Sequence, residues 1–455
     1  MHPRILSPNV IKEHHLWIDI SGVNLLVGFF KASILNHQKL WIKMYCANQD
    51  GLFISQGIMI NNYAFKIVLA TLFWLGQMKI CITVINKYIV FMHDRFVKQI
   101  LIIAFALFMA IFPIVLFARY HHNDIIMQIL TLHPRRFVAF VLLLYFLFGV
   151  LLFIRANIIS LIRKLSRPFP PRVRLLERVC LIHPDAPKWT PPRIPLGLGR
   201  FLNSFNNYYQ LEKSIYEIQS DNLPDDFDGL RVVHLTDFHF DGSLDDEYYD
   251  FCIREANALN PHIIFVTGDN ISASDYTKQA VKKLSELQAA DGVFFLRGNH
   301  DFWTDGKGFL AEMKKKGCVV LDNKAIRIKK GKSQILIYGV EHPWKRDIIW
   351  DNLLRDKRDI FTICVTHTPD NFRRAADAGA ALTLCGHTHG GRIRLPFFGP
   401  VICPSRYNRT YDQGFFERNG GLLYINRGIG STVPFRFRCP PEIALFILKK
   451  TLTVP

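Results

Sequence analysis

The chain has 455 residues, enough for two or three folded units whose cores need neither disulfides nor a structural metal for stability. Its nine cysteines are odd in number and never spaced C-x-x-C, which excludes a zinc-finger or redox motif and indicates reduced thiols facing the cytosol. Of the formal net charge of +18, residues 1–207 carry 23 Lys or Arg against 7 Asp or Glu, and residues 208–455 carry 33 against 31. A nucleic-acid enzyme needs positive charge around its active site, so this distribution favours a membrane partner, and no nucleic acid is expected.

Two long runs without a charged residue lie in the first half, at 100–118 and 137–154. Runs of 19 and 18 residues are long enough, at about 1.5 Å per residue, to cross a hydrocarbon core of roughly 30 Å. Each run is apolar on every face, whereas buried core helices of a soluble domain usually keep a polar stripe. We therefore predict two transmembrane helices within residues 92–155.

Positive charge follows the second run more densely than it follows the first. Seven Lys or Arg residues lie between 155 and 178, whereas the loop between the runs carries Arg119, Arg135 and Arg136. By the positive-inside rule, the C-terminal half lies on the cytoplasmic side. We expect an integral protein of a bacterial inner membrane with a cytoplasmic catalytic domain.

Residues 1–91 have a weaker pattern. The apolar stretch 67–92 is interrupted by Lys79 and Lys87, which leaves open a third span or an interfacial helix. The sequence MHDRFVKQ, starting at Met92, is plausible as a translation start, so we expect the first 91 residues to be partly dispensable.

Residues 156–207 form a basic segment with eight prolines, which disfavour long helices and predict an extended linker. Its first part, LIRKLSRPFPPRVR, either lies on the anionic inner leaflet or is solvated.

From residue 208 onward, short apolar runs alternate with segments of helical length. Helical periodicity is present at 245–259, 274–290 and 370–379. Eight apolar runs predict buried strands: RVVHLT (231–236), HIIFVT (262–267), GVFFLR (292–297), QILIYGV (334–340), FTICVT (361–366), ALTLC (381–385), LLYIN (422–426) and IALFIL (443–448). This is a layered α/β domain, and sites in such sheets lie beyond the carboxyl ends of the strands.

Polar side chains follow five of these strands at the point where each ends. The blocks are DFH, GDN, GNHD, the histidine of VTHTPD, and GHTHGG. A helix cap or a turn explains any one of them, but capping does not select an imidazole or a carboxylate at every strand end. Carboxylates, imidazoles and an amide oxygen together suit manganese, iron or zinc better than calcium.

In these five blocks, which occur in this order over residues 231–391, the chain resembles the calcineurin-like metallophosphoesterase superfamily. The closing stretch, from GGRIRLPFFGP to IALFIL, is similar to a membrane-associated or exported bacterial subgroup that hydrolyses phospholipid-type phosphodiesters, including the pyrophosphate of UDP-2,3-diacylglucosamine. The resemblance covers residues 208–455. It implies a four-layer αββα domain of two mixed sheets between helices, here preceded by the transmembrane hairpin.

The resemblance also implies a site for two divalent metal ions, with manganese favoured over iron or zinc. One ion would be held by Asp237, His239 and His389, the other by Asn299, His367 and His387, and Asp269 would bridge both. If this segment is extended, successive side chains point to opposite sides, so both histidines of GHTHGG would face this site and Thr388 would face away from it.

Five further side chains complete the expected site. The resemblance implies that His300 donates a proton to the leaving oxygen and that Asp301 orients its ring. Arg297, Arg392 and Arg394 either neutralise the substrate phosphate or are solvated surface charges. Histidines within or beside strands, His234, His262 and His342, are expected to be structural.

The sequence thus favours a membrane-anchored, two-metal phosphohydrolase whose partners are the lipid bilayer and a lipid-linked phosphate substrate. UDP-2,3-diacylglucosamine is the substrate that the resemblance suggests first. The alternatives are a general phospholipid phosphodiesterase, a nuclease or cyclic-nucleotide phosphodiesterase, and a non-catalytic membrane scaffold that keeps metals for folding. The nearly neutral catalytic half disfavours a nuclease, and a complete set of motifs disfavours a scaffold.

Overall fold

The computed structural model describes isolated helical positions at 74 and between 100 and 158, together with the segments 27–35, 39–47, 53–61, 76–85, 169–182, 205–345, 360–396, 399–432 and 435–451. The chain divides into two compact units, 1–80 with 105–153 and 81–104 with 154–455. Within the described segments, no helix combines the length and the apolar character that crossing a bilayer requires. Most of the predicted spans, 100–118 and 137–154, lies outside the described residues.

The first unit contains a three-stranded antiparallel sheet that no pattern in residues 1–91 predicts. Its strands, in the order β1-β2-β3, are β1 (Val27–Leu35), β2 (Lys39–Ala47) and β3 (Phe53–Asn61). β2 and β3 pair over their full length, with Lys39 opposite Asn61. The sequence between them contains Asp-Gly, a pair common in hairpin turns. Within the apolar stretch 67–92, residues 76–85 are helical.

The second unit contains a seven-stranded mixed sheet. Its strands are β4 (Val173–Ile182), β5 (Gln210–Ser220), β6 (Leu230–Leu235), β7 (Ile263–Thr267), β8 (Val293–Leu296), β9 (Val319–Val320) and β18 (Glu442–Lys450), in the order β4-β5-β18-β6-β7-β8-β9. β6 to β9 are parallel to one another, whereas β18 is antiparallel to β6 and parallel to β5. The carboxyl ends of β6, β7 and β8 therefore lie at one edge.

A six-stranded mixed sheet belongs to the same unit. Its strands are β10 (Ala325–Lys330), β11 (Ser333–Val340), β12 (Thr362–Thr366), β13 (Leu382–Cys385), β16 (Gly414–Arg418) and β17 (Gly421–Ile425), in the order β10-β11-β12-β13-β17-β16. The four central strands are parallel, and the two outer strands are antiparallel to their neighbours. A short hairpin joins β14 (Arg394–Leu395) to β15 (Gly399–Pro400).

Helices cover the outer faces of both sheets. They are α1 (Asp246–Asn257), α2 (Thr277–Leu284), α3 (Asn299–Trp303), α4 (Gly306–Lys315) and α5 (Phe372–Asp377). Alternate residues of β7 enter two different cores: Ile264 and Val266 pack with α1, α2 and α4, while Ile263 and Phe265 pack against the second sheet. α5 packs on the far side of the second sheet. The predicted α/β fold with two sheets is confirmed.

The predicted strands are all present, as β6, β7, β8, β11, β12, β13, β17 and β18. The boundary of the domain, however, lies earlier than residue 208. Residues 173–182, inside the predicted linker 156–207, form β4 and pair along their length with β5. The prolines of the segment flank this strand, at Pro171 and Pro184, and do not interrupt it, so a ladder of backbone hydrogen bonds can form there.

Burial between the sheets predicts a large difference between two isoleucine truncations. Ile363 on β12 is fully buried in the core between the sheets, whereas Ile182 at the edge of the first sheet is 62% exposed. We expect Ile363→Ala to lower the free energy of unfolding by about 2–5 kcal/mol. Ile182→Ala should change it by less than about 0.5 kcal/mol. Denaturant titration followed by circular dichroism measures both, and equal destabilisation by the two variants would contradict this packing.

Candidate metal centre

The loops that follow β6, β7, β8, β12 and β13 meet at one edge of the domain, where backbone hydrogen bonds join them. Asp237 N donates to Gly268 O (3.0 Å), and His239 N donates to Asp269 O (2.9 Å). In the second sheet, Gly386 N donates to His367 O at 3.0 Å. The motif residues are therefore held by main-chain bonds between neighbouring loops.

Five of the predicted metal ligands have left-handed backbone conformations, which non-glycine residues rarely adopt. Their φ angles are 54° at Asp237, 51° at His239, 52° at Asp269, 69° at His387 and 49° at His389. This conformation costs roughly 1–2 kcal/mol per residue, and it persists where the surroundings fix it. Strained backbone at several neighbouring polar residues is typical of a functional site.

The backbone of GHTHGG is not extended, so the side-chain alternation of a strand does not set the direction of its two histidines. Thr388, between the two left-handed histidines, is right-handed helical, with φ −77° and ψ −18°. A tight turn, and not the alternation of a strand, therefore directs both rings into the site. The Thr388 hydroxyl donates to the carbonyl of Asp412.

Asp237, His239 and His389 form a first cluster. The Nε2 atoms of the two histidines lie 3.0 Å apart, and Oδ1 of Asp237 lies 3.3 Å from His389 Nε2 and 3.6 Å from His239 Nε2. This buried oxygen accepts no hydrogen bond within the described part of the chain, while Oδ2 accepts from the Thr236 hydroxyl and from His387 N. A carboxylate oxygen and two imidazole nitrogens converging in this way fit a divalent cation.

Asp269, Asn299, His367 and His387 form a second cluster. Nε2 of His367 lies 3.3 Å from Asp269 Oδ2, 3.2 Å from Asn299 Oδ1 and 3.1 Å from His387 Nδ1. The opposite nitrogen of His367, Nδ1, lies 2.7 Å from the Thr267 carbonyl and can donate only if it carries the proton. With Nδ1 in that hydrogen bond, Nε2 is the nitrogen that faces the cluster and would bind a metal once it loses its proton.

Asp269 faces both clusters. Its Oδ2 lies 3.3 Å from His367 Nε2 and 3.7 Å from His239 Nε2, and its Oδ1 accepts from His300 N at 2.8 Å. The neighbouring Gly298 makes this approach possible, since a Cβ there would overlap the Asp269 carboxylate and lie 2.7 Å from Cε1 of His367. The structure thus brings all seven predicted ligands together, with His387 and His389 in different clusters.

The charges of the site favour a cation between these side chains. Burial alone would raise the pKa of Asp237, but the imidazoles around it, His389 first, hold that pKa well below its ordinary range. Burial would lower the pKa of His367, but Asp269 outweighs it and raises the pKa to about 9. In contrast, burial and the charge of Arg392 hold the pKa of His389 well below its usual value. At neutral pH His389 is therefore neutral, whereas His367 is protonated and would lose that proton when a metal ion binds.

The expected partnership of His300 and Asp301 is replaced by different contacts. The Asp301 carboxylate accepts from the backbone N–H groups of Gly298, Asn270 and Ile271. It therefore joins the GDN loop to the GNHD loop. One neighbour of the His300 ring is Ser272, whose Oγ lies 3.0 Å from His300 Nδ1. The sequence could not indicate this contact, because a single serine after GDN has no characteristic spacing.

Two of the three candidate arginines have structural partners. Arg297 is 6% exposed, donates to Glu341 and Asp322, and lies 4.1 Å over the ring of Phe302. Arg394 donates to the Gly390 carbonyl and forms an ion pair with Asp412 at 2.9 Å. Neither arginine is a solvated surface charge, since Glu341 and Asp322 pair with Arg297 and Asp412 pairs with Arg394.

Arg392 lies closer to the metal ligands. Its backbone is left-handed, with φ 52°, and its side chain is half-buried. Burial, followed by the charge of Arg436, lowers the pKa of Arg392 to about 10, while Asp237 and Asp269 act in the opposite direction. Its guanidinium is therefore charged at neutral pH and interacts electrostatically with Asp237 and Asp269.

Two residues of the site carry no sequence signal that identified them beforehand. Arg436 is fully buried, donates to the carbonyls of Arg427 and Gly430, and places Nη2 3.4 Å from His389 Nδ1. The ring of Trp344 lies 5.5 Å from that of His367 and 5.4 Å from that of His387. Trp344 follows β11, so the rule that sites lie at strand ends extends to it.

Two of the histidines expected to be structural have such roles. Burial lowers the pKa of His234 to about 3, and its Nε2 lies 2.9 Å from the Thr267 hydroxyl. His262 Nδ1 accepts from Arg231 N at 2.9 Å.

A family model described as calcineurin-like phosphoesterase matches residues 230–391, a range that contains all five motifs. The uncharacterized metallophosphoesterase YkuE of Bacillus subtilis is 32% identical over 263 residues, which cover 56% of this chain and 90% of that protein. The UDP-2,3-diacylglucosamine pyrophosphatase LpxG of Chlamydia trachomatis is 26% identical over 284 residues, covering 49% and 86%. A transmembrane protein with metallophosphoesterase domain from Danio rerio is 25% identical over 250 residues, covering 51% and 56%.

The two clusters predict that the histidines of GHTHGG contribute to different ions. After dialysis against micromolar Mn²⁺, we expect the double variant His239→Ala/His389→Ala, which loses two ligands of one cluster, to retain one ion. The variant His387→Ala/His389→Ala, which loses one ligand from each cluster, should bind both ions weakly and retain neither. Elemental analysis of folded protein measures the metal content, with circular dichroism as the control for folding. Retention of one ion by both double variants would show that both histidines serve one ion.

Proposed function

The chain belongs to the calcineurin-like phosphoesterase family of hydrolases, and on this premise we propose that it cleaves a phosphodiester or pyrophosphate bond of a lipid-linked substrate, using two divalent metal ions. The observation that carries the proposal is the pair of clusters that share Asp269. His300 lies beside the first cluster, with its ring 4.7 Å from that of His239. Metal ligands and a proton donor are thus adjacent, as in-line hydrolysis of a phosphate ester requires.

The proposed ligands provide mixed oxygen and nitrogen donors. The first ion would take Asp237 Oδ1, His239 Nε2 and His389 Nε2, and the second would take Asn299 Oδ1, His367 Nε2 and His387 Nδ1, with Asp269 Oδ2 shared. Such a donor set suits manganese, iron or zinc, and we favour manganese. When bound, two such ions activate water and neutralise charge on the phosphoryl oxygens.

His300 and Arg392 would act on the substrate itself. We propose that His300 donates the proton that the leaving oxygen needs, because its ring lies beside the first cluster. The ring of Trp303, which is 46% exposed to solvent, lies 5.0 Å from the ring of His300. Arg392, charged and close to Asp237 and Asp269, would bind a phosphate oxygen. Arg297 and Arg394 take no part in this proposal, because carboxylates hold them.

Attachment to a membrane is the second part of the proposal. The uncharged runs 100–118 and 137–154 would anchor the chain in the bilayer, with the catalytic domain on the cytoplasmic side. A tethered domain stays within reach of a substrate that cannot leave the bilayer. The similarity to a transmembrane relative and to LpxG, whose name specifies a lipid-linked pyrophosphate, supports UDP-2,3-diacylglucosamine as the first substrate to test.

Hydrolysis by the purified full-length chain with Mn²⁺ tests this function. We expect it to cleave bis-p-nitrophenyl phosphate and, faster at equal concentration, UDP-2,3-diacylglucosamine. His300→Ala should lower the rate on the lipid substrate by about 10²–10⁴-fold, because general-acid assistance is lost. Lys329→Ala, a change on the exposed edge strand β10, is the control and should leave the rate unchanged.

Other outcomes identify the alternatives. Cleavage of phospholipid diesters without cleavage of UDP-2,3-diacylglucosamine would indicate a general phospholipid phosphodiesterase. Equal rates in wild type and His300→Ala, or no hydrolysis by either, would contradict the proposed catalytic site and favour a scaffold.

A further inference from the structure

The hydroxyl group of Ser272 lies between a proposed metal ligand and the proposed proton donor. Its Oγ is 2.7 Å from Nδ1 of His239 and 3.0 Å from Nδ1 of His300. The two rings are almost perpendicular, at 86°, with centroids 4.7 Å apart, so neither ring stacks on the other. The serine oxygen is therefore a direct link between them through hydrogen bonds.

Backbone hydrogen bonds hold the segment that carries this oxygen. Ser272 N donates to Phe240 O at 3.0 Å, which joins its loop to the loop that carries His239. The preceding Ile271 N donates to the Asp301 carboxylate at 3.0 Å, which joins it to the loop that carries His300. The main chain of Ser272 is thus held from both sides, and the contacts with the two rings set the direction of its hydroxyl.

The hydrogen-bonding capacity of a hydroxyl suits both contacts. An oxygen of this kind has two lone pairs and one proton, so it can accept from two donors at once. If His239 offers Nε2 to the first cluster, Nδ1 carries the ring proton and donates to Ser272. The second lone pair can then accept from Nδ1–H of His300.

We propose that Ser272 is a positioning residue that couples the metal ligand His239 to the proton donor His300. This inference rests on the proposed function. As the P–O bond breaks, its electron pair stays on the leaving oxygen, which takes the proton from Nε2 of His300. The ring keeps Nδ1–H on Ser272, and solvent restores the proton on Nε2. One hydroxyl therefore orients both the ligand and the donor.

The coupling predicts two separate effects of Ser272→Ala. Loss of the acceptor for His239 should weaken binding of one Mn²⁺ ion about tenfold, measured by competition with a fluorescent chelator. Loss of the acceptor for His300 should slow hydrolysis of phenyl methyl phosphate, a poor leaving group, at least about tenfold more than hydrolysis of p-nitrophenyl methyl phosphate. The rates are compared at saturating Mn²⁺, so that metal loss does not contribute.

Three further variants separate the coupling from a general loss of structure. His300→Gln should increase the dependence on the leaving group but leave the affinity for Mn²⁺ unchanged, because the hydrogen bond between Ser272 and His239 stays in place. Ser272→Thr keeps the hydroxyl, so both the affinity for Mn²⁺ and the dependence on the leaving group should match those of the wild-type protein. Ser272→Cys, which keeps the volume but accepts hydrogen bonds weakly, should follow Ser272→Ala.

The results that overturn the proposal are distinct from those that overturn the proposed function. An unchanged affinity for Mn²⁺ in Ser272→Ala, or an equal fall in rate for both esters, contradicts the coupling. If wild-type protein hydrolyses neither ester, the proposed function fails, and the metal titration alone decides whether Ser272 supports His239.

Discussion

The site depends on left-handed backbone at five of its polar residues, which directs their side chains toward one point. These residues, Asp237, His239, Asp269, His387 and His389, lie on loops that belong to two different sheets. Each such conformation costs roughly 1–2 kcal/mol, so it must be fixed from outside the residue. Backbone hydrogen bonds between successive loops do this. The Asp301 carboxylate contributes as well, since it accepts hydrogen bonds from three further backbone N–H groups. A cluster of donors prepared in this way needs little reorganisation when it binds an ion.

The two sheets supply the rigid support for these loops. The apolar side chains between the sheets form one continuous core, which fixes the ends of β6, β7 and β8 relative to those of β12 and β13. The first cluster takes two ligands from the end of β6 and one from the end of β13, so it forms only when both sheets pack correctly. Stability of the core and geometry of the site are therefore linked, even though the residues of the site contribute little to the core.

The sequence predicts the buried strands and the strand-end motifs well, because both follow from short-range patterns. Strands buried on both faces are continuous apolar runs, and each motif begins where such a run ends. The two strands at one end of the first sheet are harder: β5, QLEKSIYEIQS, alternates polar and apolar residues, and the edge strand β4 lies in a segment dominated by proline and arginine. Patterns of this kind are shared with amphipathic loops and linkers, so they do not specify a strand.

The partners of individual side chains could not be predicted, because they depend on the direction in which a loop leaves its strand. Arg297 and Arg392 both adjoin motifs, yet Arg297 is held by Glu341 and packs on Phe302, while Arg392 lies beside the clusters. Asp301 follows His300 directly, yet its carboxylate accepts from backbone groups of two loops.

The most direct test of the two-metal site is anomalous diffraction from crystals of the full-length chain grown with Mn²⁺. We predict two peaks roughly 3.5–4 Å apart, on either side of the Asp269 carboxylate; a single peak, or peaks that do not contact Asp269, would contradict it.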